Sequence, residues 1–307
     1  MAIIFCQLDN LEKMKIAIFG QYYQNDTRPI IRDIFVFFNA NNVELVIEEK
    51  FLKILYEQEI LKREYKTFKD YSCLDSSFDI LVSIGGDGTI LRAATFVRDS
   101  GIPIIGINAG RLGFLAKVQK ENVESFLQIV IEKKYTISKR ALLSLECSPE
   151  NEQINELNFA MNEVTVSRKD TTSMITIETS LNSEYLNSYW ADGLIVSTPT
   201  GSTGYSLSCG GPVLTPEVKS FVITPIAPHN LNARPLVIPD DTEIKLKVSG
   251  REEQYLVSLD SRIATLNNNS VLTIRKTPFY INMVEIPNET FLKTLRNKLL
   301  WGEDKRN

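Results

Sequence analysis

Histidine is almost missing from this chain: of 307 residues, His229 alone carries an imidazole. A metal centre built on His ligands, or a Ser-His-Asp triad, finds little to work with here. Cysteine is sparse as well. Cys6, Cys73, Cys147 and Cys209 stand far apart with no CxxC pair, which indicates neither a zinc site nor a disulfide framework. No apolar run reaches the length that spans a bilayer. The opening MAIIFCQLDNLEK has too short an apolar stretch, and no basic lead, for a secretory signal. An excess of one charge is lacking too: 34 Lys and Arg against 38 Asp and Glu leave a net charge of -4. That balance gives no hint of nucleic acid or an anionic membrane surface as a partner. A soluble cytoplasmic protein is the expectation.

What remains is an ordinary globular composition, long enough for two domains with a core in each. The first third alternates strand and helix patterns. Lys15 to Phe19 reads as a strand, Pro29 to Phe38 as a helix, Val43 to Ile47 as a strand and Phe51 to Tyr65 as a polar helix. The run FDILVSI and then Ile102 to Ile107 continue the strands. Strands separated by helices predict an α/β domain with a parallel sheet covered on both faces, ligands lying at the strands' carboxyl ends. After a helix over Asn122 to Lys133, short alternating or β-branched runs take over, from ALLSLECS and FAMNEVTVS to VLTIRKT and FYINMVEI. They predict an all-β second domain. The boundaries are 1–135 for the α/β domain, 136–285 for the all-β domain and 286–307 for a closing segment, whose helix over Glu289 to Trp301 packs back. A cleft between domains is the default place for a ligand.

The most telling stretch is FDILVSIGGDGTI, residues 78–90. A buried-type strand ends in Gly85-Gly86-Asp87-Gly88-Thr89, and a helical segment follows. Strand, glycine turn and helix start form the geometry that binds phosphate, because N–H groups and the helix terminus converge without a Cβ in the way. A carboxylate inside such a turn suits proton abstraction from a nucleophilic hydroxyl. The plain alternative is that Asp87 caps the helix. The turn matches neither a Walker loop nor a dinucleotide fingerprint. A second glycine-bearing loop, Asn108 to Gly113, falls at the end of the next strand.

Three further segments stand out. Residues 198–211, TPTGSTGYSLSCGG, offer the hydroxyls of Thr200, Ser202, Thr203, Ser206 and Ser208, with Gly201 and Gly204 allowing close approach. A surface loop is the alternative. Asn162 and Glu163 lie between apolar neighbours, where unpaired burial costs several kcal/mol, so they are expected to face a cavity and to hold ribose hydroxyls, amide donating and carboxylate accepting. Otherwise they occupy an ordinary exposed strand. Asp192 serves the same ligand or a turn. His229 is expected to be a structural hydrogen-bonding residue rather than a general base, and Trp190 a core aromatic rather than a ring stacked on a nucleobase.

In this order the motifs GGDGT, NAGRLGFLA, NE, DGLIVSTPTGSTGYSLSCGGP and TPIAPHNLNARPLVIP resemble the NAD kinase family, from about residue 15 to 300. GGDGT alone also occurs in the diacylglycerol and sphingosine kinases and the phosphofructokinases. The TPTGST and NE motifs separate them. The resemblance implies a Rossmann-like N-terminal domain, a β-sandwich-like C-terminal domain and an active site between them. It implies an ATP-dependent enzyme of bacterial type that phosphorylates the 2′-hydroxyl of the adenosine ribose of NAD, with Mg²⁺ carried in on ATP and no residue assigned to a metal. Asp87 matches the proton acceptor, Gly85, Gly86, Gly88 and Thr89 the nucleotide turn, and Arg92 a position that meets phosphate. Asn162, Glu163 and Asp192 match contacts to the ribose and amide end of the dinucleotide. Thr200, Thr203, Gly204, Tyr205, Ser206, Leu207 and Ser208 match the loop around its adenosine and nicotinamide parts. Family habit implies a homo-oligomer, a dimer or tetramer.

The chain departs from the pattern at two places. It has Gly204 where the family commonly has alanine, which loosens contact there. Thirteen residues also precede MKIAIFG, which looks like the usual beginning, and no function is placed on them. The rival readings are a lipid kinase of the GGDGT superfamily and a catalytically silent NAD(P) sensor.

Overall fold

The computed structural model describes residues 13–21, 27–108, 113–118, 123–170, 173–287 and 289–301. The N-terminal extension lies almost wholly outside them. The chain divides into two compact units: Met1–Ile137 with Val284–Asn307, and Ser138–Met283.

The first unit opens with β1 (Lys15–Gly20), α1 (Thr27–Ala40), β2 (Glu44–Glu48), α2 (Glu49–Glu57) and β3 (Lys66–Phe68). β4 (Ile80–Ile84), α3 (Asp87–Val97), β5 (Ile104–Ile107) and α4 (Val123–Ile131) follow, and β6 (Thr136–Arg140) runs across the boundary into the second unit. β3-β2-β1-β4-β5 form a parallel ladder in that order. Every residue of β4 is buried, as a strand covered on both faces requires. α1 turns Ile30, Ile31, Ile34, Phe35 and Phe38 inward, the stripe of an amphipathic helix, into one core with Ile16 and Ile18 of β1. α2 stops eight residues before the expected Tyr65. Glu59 takes a left-handed φ of 52° and the Ile60 N–H returns to the Leu55 carbonyl, a helix terminus made without glycine.

The second unit holds β7 (Leu143–Ser148), α5 (Glu152–Asn155), β8 (Phe159–Ala160), β9 (Glu163–Arg168), β10 (Ile175–Leu181), β11 (Glu184–Ala191) and β12 (Gly193–Ser197). α6 (Tyr205–Ser208), β13 (Ser220–Ile226), β14 (Leu236–Pro239), β15 (Ile244–Gly250), β16 (Gln254–Leu259), β17 (Arg262–Asn267) and β18 (Val271–Lys276) complete it. Two six-stranded sheets result, β11-β10-β15-β18-β7-β8 and β14-β13-β12-β9-β16-β17. Their pairings are antiparallel. Alternate residues of both enter one core, among them Leu145, Ile177 and Leu246 from the first sheet and Val164, Leu194 and Tyr255 from the second. This is a sandwich, carrying only single-turn helices.

β19 (Ile281–Glu285) leads into α7 (Phe291–Leu299). The run FYINMVEI was expected in the all-β domain, yet β19 joins the first sheet, beside β5 and β6. An apolar run of this length carries no mark of which sheet it will complete. Among the described residues no helix is long and apolar enough to cross a membrane.

Candidate functional site

In the first unit the carboxyl ends of β1, β4 and β5 lie side by side. The Gln21 N–H donates to the Ile84 carbonyl at 3.0 Å, and the Gly85 N–H to the Ile107 carbonyl at 2.9 Å. Gly85 has φ +153°, and a Cβ on it would fall 2.3 Å from Thr89 Oγ1, so this glycine is demanded by the turn itself. Thr89 is buried and its hydroxyl donates to Gln21 Oε1 at 2.9 Å, bracing the turn from behind. Gly86 and Gly88 differ: a Cβ on either meets no atom within 4 Å. Neither packing nor a positive φ requires glycine there. What the missing side chains keep clear is the space before the N-terminus of α3. Gly88→Ala is therefore expected to leave the melting temperature unchanged or raise it, since Ala gains up to about 1 kcal/mol over Gly in a helix. ATP affinity, measured by calorimetry on the same protein, should fall; an unchanged affinity would remove this turn from the phosphate site.

Asp87 is the first residue of α3, and its carboxylate does not cap that helix. It reaches instead to the second glycine loop. Oδ2 accepts the Phe114 N–H at 2.8 Å, and Oδ1 accepts those of Leu115 and Ala116 at 3.0 Å each. A Cβ at Gly113 would lie 1.8 Å from Oδ1, so glycine lets that chain pass so close. Ala109–Leu112 of this loop lie outside the described residues. From α7, Lys298 brings its Nζ to 3.9 Å from Oδ2 and 4.8 Å from the centre of the Phe114 ring. No motif pointed to Lys298, because a lysine in a polar C-terminal helix looks like any solvated charge. Arg92 is exposed on α3 with its guanidinium 5.9 Å from the Phe19 ring.

In the second unit, FAMNEVTVS is broken. β8 ends at Ala160, β9 begins at Glu163, and Met161-Asn162 form a bend between them. The bend grips the hydroxyl-rich loop: Thr198 donates its N–H to the Asn162 carbonyl at 2.9 Å and its hydroxyl to the Met161 carbonyl at 2.6 Å. Gly201 passes so close that a Cβ would lie 2.1 Å from the Asn162 carbonyl oxygen. A Cβ at Gly204 would stand 3.5 Å from Glu163 Oε2 and 3.6 Å from Asn162 Nδ2, ordinary contact. The family's methyl would thus touch this pair, and its loss leaves a gap beside both side chains. Asn162 Oδ1 and Glu163 Oε2 are buried with no hydrogen-bond partner. Burial, then the charge of Asp260, pushes the Glu163 carboxyl up to about 8. Both residues are half-buried, so neither occupies an ordinary exposed strand position.

The loop's hydroxyls divide. Ser202 and Ser206 point inward: Ser202 donates to the Pro199 carbonyl at 2.7 Å, and Ser206 shares a 2.8 Å hydrogen bond with Thr224. The Thr203 hydroxyl donates to the Thr200 carbonyl at 3.1 Å. Thr200 is buried, Leu207 half-buried, and Tyr205 and Ser208 exposed. Burial raises the Tyr205 phenol, with further upward pushes from Cys209, Asp192 and Glu163, which places Asp192 near the same face. Asp192 itself pairs with Arg168 at 3.1 Å. Trp190 is not a core aromatic: it is 47% exposed and stands edge-on to His229, ring centres 4.4 Å apart. On an edge strand the indole has no sheet to cover it. The His229 N–H donates to the Trp190 carbonyl at 2.8 Å. Among the described residues no three His, Cys, Asp or Glu side chains are grouped to hold a metal.

Two family models match, the ATP-NAD kinase N-terminal domain over residues 16–135 and the ATP-NAD kinase C-terminal domain over residues 161–286. The chain is 76% identical over 294 residues to an NAD kinase of Flavobacterium johnsoniae, covering 96% of this chain and 100% of that protein. It is 42% identical to an NAD kinase of Bacteroides fragilis, covering 95% of this chain and 100% of that one. Yeast NADH kinase solved with NADH shares the fold, with a TM-score of 0.85 at 22% identity over 95% of this chain and 89% of its own. An NAD kinase from Archaeoglobus fulgidus solved with ATP gives a TM-score of 0.70 at 26% identity, over 93% and 97%.

Proposed function

The chain belongs to the NAD kinase family, and we propose on that premise that it transfers the γ-phosphoryl group of ATP to the 2′-hydroxyl of the adenosine ribose of NAD. The bond from the γ-phosphorus to the bridging oxygen breaks, a bond from O2′ to phosphorus forms, and ADP and NADP result. The hydroxyl proton passes to Asp87. The observation that carries this reading is a carboxylate seated inside a strand–glycine–helix turn in which a Cβ at Gly86 or Gly88 would meet no atom of the described residues.

In the proposed mechanism Gly86 and Gly88 expose backbone donors and the α3 terminus to the donor phosphates, and Arg92 adds a cation. Asp87 orients the acceptor hydroxyl and takes its proton. Its lone pairs identify the atom: Oδ1 already accepts two N–H groups and Oδ2 one, so Oδ2 keeps the free site. Phosphoryl transfer has a loose transition state, so holding and neutralising the reactants supplies most of the rate. Asn162, Glu163 and Asp192 hold the dinucleotide, and the Thr200–Ser208 loop lines its adenosine and nicotinamide parts. Thr89, Ser202 and Ser206 brace these segments from within. Mg²⁺ would be held by the phosphates of ATP rather than by residues of this chain, and would supply charge neutralisation there. A dedicated cage would need grouped carboxylates, and among the described residues no such group is found.

The protein works in the cytoplasm, consistent with Cys73, Cys147 and Cys209 as free thiols, and assembles as a homo-oligomer, which light scattering would test. NADP formation from NAD, ATP and Mg²⁺ by the purified protein tests the activity. NAD binding without turnover would instead mark a sensor, and phosphorylation of a lipid alcohol a lipid kinase. Glu163→Ala is expected to weaken NAD binding by about 1–3 kcal/mol and to leave ATP binding alone. Equal weakening of both ligands would mean that β9 only supports the unit.

A further inference from the structure

The bend that presents Asn162 and Glu163 is held by more than the ladder of its own sheet, which reaches it through the pairing of Ser197 with Glu163. Asp260, in the two-residue turn between β16 and β17, holds it too. Its Oδ2 accepts the Met161 N–H at 3.0 Å, and its Oδ1 accepts those of Asn162 at 2.8 Å and Glu163 at 3.2 Å. Its own N–H donates to the Glu163 carbonyl at 3.0 Å. Asp260 adopts a left-handed φ of 54°, a backbone state Asp and Asn tolerate better than most residues. Arg262 lies behind it, 3.9 Å from Oδ2, and its guanidinium donates to the Leu157 and Phe159 carbonyls just upstream of the bend.

We propose that Asp260 is a positioning residue for the acceptor pair: it fixes the bend that presents Asn162 and Glu163, and its charge adds to the unpartnered burial of Glu163 Oε2, so that Glu163 meets the ligand as a neutral carboxylic acid that donates a hydrogen bond. The inference rests on the NAD kinase reading. It also reverses the expected polarity of Glu163, from accepting carboxylate to donating acid.

Two carboxyl groups share this desolvated corner, and only one finds compensation. Asp260 has three N–H donors and a nearby guanidinium. Glu163 Oε2 is buried with none. Glu163 is half-buried, with one oxygen shut off from solvent and unpartnered among the described residues; an ionised carboxyl so placed costs more than a neutral acid, so the proton settles on Glu163. Burial raises the Asp260 carboxyl on balance, outweighing the lowering by the N–H groups of Met161 and Asn162, then Arg262, then the Glu163 N–H; the proton is assigned to Glu163 on geometry, because only Asp260 has three N–H donors and a nearby guanidinium. For Glu163 burial and the Asp260 charge both push upward, to about 8. The other titratable groups around it do not offset this. Tyr205 and Cys209, on the loop and helix opposite, are raised by burial and uncharged near neutral pH. Asp192 has its charge met by Arg168. A neutral acid can donate to a ribose oxygen or an amide oxygen, whereas an ionised one would repel the dinucleotide's phosphates.

The test is NAD binding by titration calorimetry from pH 6 to 9 without ATP, with ATP binding measured separately as a control. Wild-type affinity should hold at low pH and fall above pH 8, about tenfold for each further pH unit as the binding form is lost. Glu163→Gln, whose amide still donates, should bind NAD within about threefold of wild type at pH 7 and show no such fall. Asp260→Asn should bind NAD at least about tenfold more weakly with ATP binding intact, and should move the fall to lower pH. A pH-independent wild-type affinity, or a folded Glu163→Gln protein that does not bind, would overturn the proposal. So would equal losses for NAD and ATP in Asp260→Asn. Should Asp260→Asn not fold, the wild-type profile and Glu163→Gln decide alone. No NAD binding by wild type at any pH would sink the kinase reading and this inference together, an outcome distinct from pH-independent binding.

Discussion

Replacing Asp87 with asparagine is expected to lower the rate of NADP formation by about two to four orders of magnitude, the usual span for loss of a general base. The amide oxygen, placed as Oδ1, can still accept the N–H groups of Leu115 and Ala116. The NH₂ group then replaces Oδ2 and faces the Phe114 N–H, donor against donor. Stability should therefore drop modestly, by about 1–3 kcal/mol for one unsatisfied donor, and the protein should stay folded. NAD affinity, carried by the second unit, should change little. A loop shifted by the lost Phe114 hydrogen bond would weaken ATP binding, so kcat must be read under saturating ATP. Near-normal turnover there would reject Oδ2 as the proton acceptor.

The elements hidden from the sequence share a position in the sheets. β3, β6, β11, β14 and β17 carry no strand pattern legible in the sequence, and each ends its sheet. An edge strand has a ladder on one side only and often water on a face, so its apolar alternation is weak. β6, for example, reads TISKR and buries only Arg140. Interior strands such as β4 and β12 were visible because burial on both faces leaves an unbroken apolar run. The end of α2 was hidden for another reason: Glu59 adopts the left-handed state without the glycine that normally announces it.

The candidate site was legible where chemistry needs unusual residues in a short span. The Gly85–Thr89 turn, Asn162-Glu163 and the Thr198–Gly211 loop are such spans. What each hydroxyl does was not legible, since Ser202 and Ser206 look the same in sequence as hydroxyls that face a ligand. The supports were invisible altogether. Asp260 sits in an ordinary hairpin turn, and Lys298 sits 211 positions from Asp87. Only tertiary contact gives either of them meaning.

Glu163→Gln should also stabilise the unliganded protein, and by an amount that depends on pH. An acid whose folded pKa lies above its unfolded value keeps its proton in the folded state after the unfolded chain has lost it. For Glu163 that window runs from 4.5 to about 8. Folding takes up a proton throughout it, so the wild type loses stability as pH rises from 4.5 to 8 and loses no more above. The full window corresponds to on the order of 5 kcal/mol, and relaxation of the site cuts the share that is felt to a few kcal/mol. Glutamine does not titrate and escapes this loss. In urea unfolding the variant should match the wild type near pH 4.5, move ahead steadily towards pH 8, and hold a constant lead beyond. Asp260 is present in both proteins, so most of its own titration cancels in the difference. A lead that did not vary with pH would show that Glu163 is ionised throughout, and that its burial is met by a partner rather than by a proton.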